Sequence, residues 1–144
     1  MKRIARSAIV ARSAELLYTL VEDIESYPGF LPWCAGTRVS DRSEVRTVAT
    51  ISVGVKGVRH SFTTENTKLP GRSIEMRLLA GPFRHFAASW RFTPLEPHAA
   101  KIEFHLEYEF ANRIVARALQ PLFGHIADSM VEAFTRRAEE HPDG

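Results

Sequence analysis

The strongest constraint on the fold lies near the end of the chain, where residues 112 to about 137 repeat apolar side chains at helical spacing. Val115, Leu119, Leu122, Ile126 and Met130 recur every three or four positions, flanked by Phe123 and Phe134. Arg113, Arg117, Gln120, Asp128, Glu132 and Thr135 fall on the opposite side. This pattern predicts one amphipathic helix. Asn112 is placed to cap it, because its side-chain oxygen can accept from an otherwise unpaired N–H of the first turn. At 1.5 Å per residue such a helix is roughly 39 Å long, enough to cross a small domain. Pro121 removes one intrahelical hydrogen bond, and since the periodicity continues beyond it, a bend is expected rather than a break. Val131 falls on the polar side of the wheel, which points to contact with a loop or a second subunit; the oligomeric state stays open. A one-sided apolar helix of this length needs a curved apolar partner.

The rest of the chain is patterned to supply that partner. Residues 3–11 alternate loosely, as a strand does. Ser13 then stands as an N-cap ahead of Glu15, with Leu16, Leu20, Val21 and Ile24 on one face of a short helix. The segment Tyr27-Pro28-Gly29-Phe30-Leu31-Pro32-Trp33-Cys34 breaks every regular period, since two prolines fix φ and three aromatics crowd a few positions. It reads either as a plug for one end of the core or as a pocket rim or membrane-touching edge.

From Thr37 to Phe110 the period becomes two. Val45, Thr47, Ala49, Ile51, Val53 and Val55 share one parity, and after a Lys56-Gly57 turn so do Val58, His60, Phe62 and Thr64. Past the Pro70-Gly71 turn come Ile74, Met76, Leu78 and Ala80, then Phe86, Ala88, Trp90 and Phe92. The clearest run is the last: Ile102, Phe104, Leu106, Tyr108 and Phe110 alternate without error with Lys101, Glu103, His105, Glu107 and Glu109. The order is therefore a strand, one or two short helices, about six more strands in meander, and a long closing helix. Tight turns make consecutive strands antiparallel. The class is α+β: a curved sheet of about seven strands whose dry face is covered by the terminal helix.

The 144 residues fit one domain, 1–144, with a sizeable core and no need of a disulfide, since Cys34 is the single cysteine. No apolar run approaches membrane-spanning length, and a cytoplasmic protein is expected, with contact to the inner membrane at most peripheral. The net charge of +2 forces no nucleic-acid reading, yet 15 of the 19 basic residues are arginine. Residues 1–72 hold 11 Lys/Arg against 7 Asp/Glu. Arg38, Arg42, Arg46, Lys56 and Arg59 form a solvated sheet surface or an RNA-binding patch, with the former favoured on charge alone.

The chemistry implied is binding. No pair of histidines, or of histidine with cysteine, has metal-ligand spacing, no phosphate-cradling glycine loop is present, and no catalytic or metal residue or cofactor is assigned. His60 and Tyr108 are the two inward polar handles that parity offers, and Glu103, Glu107 and Glu109 face outward. If sheet and helix do not quite meet, an apolar cavity remains between them. Its expected lining is Phe62, Met76, Trp90, Phe104 and Tyr108 from the sheet and Leu122, Phe123, Ile126 and Met130 from the helix, with Trp33 of the aromatic loop at the rim.

Several short motifs carry a resemblance. Tyr27-Pro28-x-Phe30-Leu31-Pro32-x-Cys34, Gly81-Pro82-Phe83, Trp90-x-Phe92-Thr93-Pro94-Leu95, Ile102-Glu103-Phe104-His105-Leu106 and Met130-Val131-x-Ala133-Phe134 together resemble the RatA-type and coenzyme Q-binding family, over essentially the whole chain. That resemblance implies a START-like helix-grip fold of the SRPBCC superfamily, with seven antiparallel strands gripping the C-terminal helix. It implies two activities of different kinds. One is holding a quinone-like isoprenoid lipid in the cavity in support of respiration; the other is a toxin-like binding of the large ribosomal subunit that blocks subunit association. The polyketide cyclase/dehydrase label attached to the family adds an enzymatic alternative by fold analogy. A non-catalytic lipid-binding protein is the expectation. The family transfers no catalytic positions.

Overall fold

The computed structural model describes residues 1–55 and 57–141. The expected Lys56 turn residue and the tail Pro142–Gly144 lie outside the described residues. Strand β1 (Lys2–Val10) is followed by helix α1 (Ala14–Glu22) and a 3-10 helix (Ile24–Gly29). Six strands follow: β2 (Cys34–Arg42), β3 (Arg46–Val55), β4 (Val58–Leu69), β5 (Ser73–Ala80), β6 (Phe83–Glu96) and β7 (Ala99–Phe110). Helix α2 (Arg113–Glu139) closes the chain.

Every neighbouring strand pair is antiparallel, in the order β1-β7-β6-β5-β4-β3-β2. Hairpin turns account for β2 to β7 in sequence; α1 and the 3-10 helix carry the chain from β1 at one edge to β2 at the other. Register shifts interrupt the β2–β3, β4–β5 and β6–β7 ladders. Such bulges raise local twist and let a sheet curl around a helix.

Both helix starts follow the capping chemistry. The Leu16 N–H donates to Ser13 Oγ at 3.1 Å, and the Val115 N–H to Asn112 Oδ1 at 2.9 Å. Helix α2 runs through Pro121 as one element. At its C-terminal end Arg12 donates to the carbonyl oxygen of Glu139 at 2.9 Å and to that of His141, just past the helix, at 3.3 Å. A guanidinium there satisfies orphan carbonyls and complements the helix dipole.

The alternation of β7 holds to the residue: Ile102, Phe104, Leu106, Tyr108 and Phe110 are buried. Glu107 pairs on the outer face with Arg3 at 3.3 Å, and Glu109 with Arg84 at 3.2 Å. Pairs this exposed contribute at most about 1 kcal/mol each. The fold is held instead by the inner face closing on α2, where Phe134 is fully buried among Tyr27, Phe30 and Trp90.

Two expectations on the helices change. In α1 the buried side chains are Ala14, Leu17, Leu20 and Val21; Leu16 is only half-buried, and Ile24 belongs to the 3-10 helix. Val131 is 5% exposed within this chain, so it needs no second subunit to cover it. A helix packed on the sheet, its edge strand β1 included, along one side and on α1 along another buries more than one stripe.

Gly81 shows how closely the layers approach. It sits at φ 156°, and a Cβ built there would lie 2.7 Å from Cβ of Phe62. Only glycine lets the β5–β6 turn press onto β4 at this point.

Candidate ligand-binding site

Between the concave face of the sheet and α2 lies a narrow cavity of about 50 Å³. Eight of the ten expected residues line it: Trp33, Phe62, Met76, Trp90, Phe104, Phe123, Ile126 and Met130. The rings interlock at angles, with Trp90 and Phe104 centroids 4.5 Å apart and Phe62 and Phe123 6.2 Å apart. Part of the aromatic loop is buried, and part of it reaches the cavity. Leu31 and Cys34 are buried as a plug, while Tyr27 and Trp33 face the cavity.

Tyr108 and Leu122 do not line it. Tyr108 is 1% exposed but lies further along β7, among Phe83, Phe110 and Phe123, where its hydroxyl accepts from Gln120 Nε2 at 2.9 Å. Leu122 is half-buried at the margin of the α2 stripe, which centres on Leu119, Phe123, Ile126 and Ala127. His60, the other expected polar handle, is half-buried and outside the lining.

The polar wall of the cavity is instead built by Glu22, Asn66 and Lys68. Thr64, Asn66 and Lys68 continue the inward parity of Phe62 along β4, and all three are buried. Lys68 Nζ donates to Glu22 Oε1 at 2.6 Å, the Thr47 hydroxyl donates to the same oxygen at 2.7 Å, and Arg42 reaches Glu22 Oε2 at 3.1 Å. Thr64 Oγ1 donates to Asn66 Oδ1 at 2.8 Å. Glu22 closes the last turn of α1, so this cluster ties α1 to β2, β3 and β4. A lysine this buried is tolerable only when paired and hydrogen-bonded.

At two ionisable groups beside the aromatic lining, Tyr27 and Cys34, burial disfavours the charged form. The Tyr27 hydroxyl donates to the Val21 carbonyl, and burial raises its phenol far above the ordinary range. Burial also raises the Cys34 thiol, only partly offset by its contact with the Gly36 carbonyl. A raised thiol pKa means little thiolate and low nucleophilicity. Among the described residues no group of three or more His, Cys, Asp or Glu converges as a metal site. No helix among them is long and apolar enough to cross a membrane.

The expected arginine patch is largely committed to intramolecular pairs. Arg42 meets Glu25 at 2.7 Å as well as Glu22, and Arg46 meets Glu65 at 2.7 Å and Asp41 at 2.5 Å. Arg59 donates to the Ala35 carbonyl at 3.2 Å. Hydrogen bonds from Arg42 lower the Glu25 carboxyl, and those from Arg77 and Arg46 lower Glu65. Lys56 lies outside the described residues.

Comparison with known proteins places this arrangement. Residues 10–135 match the family described as polyketide cyclase / dehydrase and lipid transport. The chain is 44% identical over 140 residues to the ribosome association toxin RatA of Vibrio cholerae, covering 97% of each chain. It is 27% identical over 138 residues to the mitochondrial coenzyme Q-binding protein homolog B of Xenopus laevis, covering 93% of this chain and 57% of that one. Among solved structures, a START superfamily protein from Mycobacterium smegmatis superposes with a TM-score of 0.78 at 22% identity, over 96% of this chain and 97% of the other. The Zhui aromatase/cyclase from Streptomyces sp. R1128 superposes with a TM-score of 0.82 at 18% identity, over 96% and 93%. At such identities the two structures speak for the START-like fold alone. The end-to-end match to RatA goes further: this chain belongs to the polyketide cyclase / dehydrase and lipid transport family and, within it, to the RatA group.

Proposed function

We propose that this protein is a non-catalytic RatA-type binding factor whose cavity takes a quinone-like isoprenoid lipid. The observation that carries the reading is the lining itself: eight apolar or aromatic side chains, expected from strand parity, helical spacing and the aromatic loop, converge on one enclosed space with a polar wall on one side. That is the composition of a small-molecule site. Burial of an isoprenoid tail supplies roughly 25 cal/mol per Å² of apolar surface. The cavity as it stands holds only about three or four waters' worth of space, so the tail enters by displacing side chains. Met76 and Met130, both half-buried and both in the lining, are the adaptable pieces. A peripheral encounter with a membrane surface would deliver such a ligand.

The test is to purify the protein gently from a quinone-containing host and extract its lipids. Wild type releases a quinone and Trp90→Arg, with a cation forced among the rings, releases none. A folded wild type that carries no lipid and takes up none from quinone-loaded vesicles contradicts the reading.

A second reading rests on the 44% identity to RatA over 97% of each chain. It assigns binding to the large ribosomal subunit and a block of subunit association, compatible with a lipid-filled core. Sedimentation with large subunits at two salt concentrations tests it. Charge-driven RNA contact weakens steeply as salt rises; no co-sedimentation at low salt removes this reading.

A further inference from the structure

The cavity has one wall that is not apolar, and its hydrogen-bond inventory is lopsided. Asn66 Oδ1 accepts from the Thr64 hydroxyl, and the NH₂ group is left as the uncommitted donor function of the side chain. That residue is 5% exposed and lines the cavity. Beside it on the same face of β4, Lys68 is 4% exposed and spends one N–H on Glu22. Glu22 in turn is satisfied by Lys68, Thr47 and Arg42. The wall therefore offers donors, and the charge of Lys68 is already matched by Glu22.

Glu22 and Lys68 also line a groove on the outer surface, together with Asp23, Arg42 and Glu44. The pair is thus the partition between the apolar cavity and solvent. A ligand whose tail lies among Trp90, Phe104 and Met130 would leave its polar end at this partition. The two cations there, Lys68 and Arg42, are already paired with Glu22 and Glu25, so an anionic head would meet the remaining acids Asp23 and Glu44; a neutral head with carbonyl oxygens meets unspent N–H groups without charge conflict.

We propose that Asn66 and Lys68, with Glu22 as the counter-ion of Lys68, form the polar head site of the cavity and take the carbonyl oxygen of an uncharged amphipathic ligand. This rests on the apolar-ligand reading above and adds to it the residues that select the head. Two probes of matched shape separate the two ideas: geranyl-para-benzoquinone, and geranylbenzene, which has the same tail and no carbonyl. Each is titrated against the uncharged apolar dye N-phenylnaphthylamine bound to the protein. Wild type releases the dye at roughly tenfold lower quinone than hydrocarbon concentration, the scale of one or two hydrogen bonds. Asn66→Leu and the near-isosteric Asn66→Asp, which keeps an acceptor for Thr64 but has no donor, both lose that preference while still binding the hydrocarbon. Equal affinity of wild type for the two probes, or a preference that survives both substitutions, overturns the head site and leaves the apolar cavity standing. Failure of either probe to displace the dye overturns the apolar-ligand reading and the head site with it.

Discussion

The two ends of the concave face obey one parity rule and do opposite things with it. Across β5, β6 and β7 the inward positions are Ile74, Met76, Trp90, Phe104 and their like, and they close on α2 as a dry aromatic layer. Across β3 and β4 the same inward alternation passes from Ile51 and Phe62 to Thr47, Thr64, Asn66 and Lys68, which are just as buried. Inwardness in a sheet is set by the pleat, not by polarity. Polar residues can occupy it when each finds a partner: α1 supplies one for Thr47 and Lys68 through Glu22, and Thr64 and Asn66 pair with each other. One half of the interior is thus a dry aromatic layer, and the other is a buried polar wall tied to α1.

Breaking the aromatic half should cost most. Phe134→Ala removes a fully buried ring that contacts Tyr27, Phe30 and Trp90. A loss of about 3–5 kcal/mol in chemical denaturation is expected. The polar half should respond next. Glu22→Ala leaves the Lys68 ammonium without its 2.6 Å partner and should cost about 3 kcal/mol, the lower end for breaking a buried pair, since Arg42 shows this cluster is partly wet. The paired change Glu22→Leu with Lys68→Met should recover most of that loss, because removing both charges removes the desolvation cost; a double mutant as unstable as the single one would show that the ion pair itself stabilises the fold.

Tyr108→Phe sharpens the boundary between the two halves and the rest of the core. It deletes the hydroxyl that accepts from Gln120 and should lower stability by about 1 kcal/mol with ligand affinity unchanged, since Tyr108 lies outside the cavity. A marked change in affinity would place the cavity wrongly. The smallest effect is electrostatic and on the outer surface. Glu25 and Glu65 have carboxyl groups held below the ordinary value by arginine hydrogen bonds, so their contribution is present above the unfolded-state pKa and is lost as pH falls through the folded one. Glu65→Gln should therefore flatten the acid side of the stability profile slightly while leaving neutral-pH ligand binding unchanged.

Much of this was legible in the sequence because two periods carry it. The alternation from Ile102 to Phe110 and the helical spacing from Val115 to Met130 specify which faces are dry, and the dry faces have one way to meet. The caps at Ser13 and Asn112 were legible for the same reason, since they follow from backbone donors that any helix leaves open. The polar wall was half-legible: Thr47 and Thr64 already stood in the inward rows, and carrying the β4 row two and four residues further reaches Asn66 and Lys68. Their partner was not. Glu22 lies 46 residues from Lys68, on a different element, and no local period links them. Leu122 and Tyr108 were misplaced because a face pattern fixes direction but not depth along a strand or the centre of a helical stripe.

Whether the concave face and α2 enclose a ligand site can be read from three methyl groups. The chain has three methionines; Met76 and Met130 line the cavity, while Met1 is 61% exposed at the terminus. In protein carrying methyl-labelled methionine, titration with geranyl-para-benzoquinone should shift the Met76 and Met130 resonances together and leave Met1 where it is. Unmoved Met76 and Met130 at saturating quinone, or a shift confined to Met1, would mean that the cavity is not a ligand site.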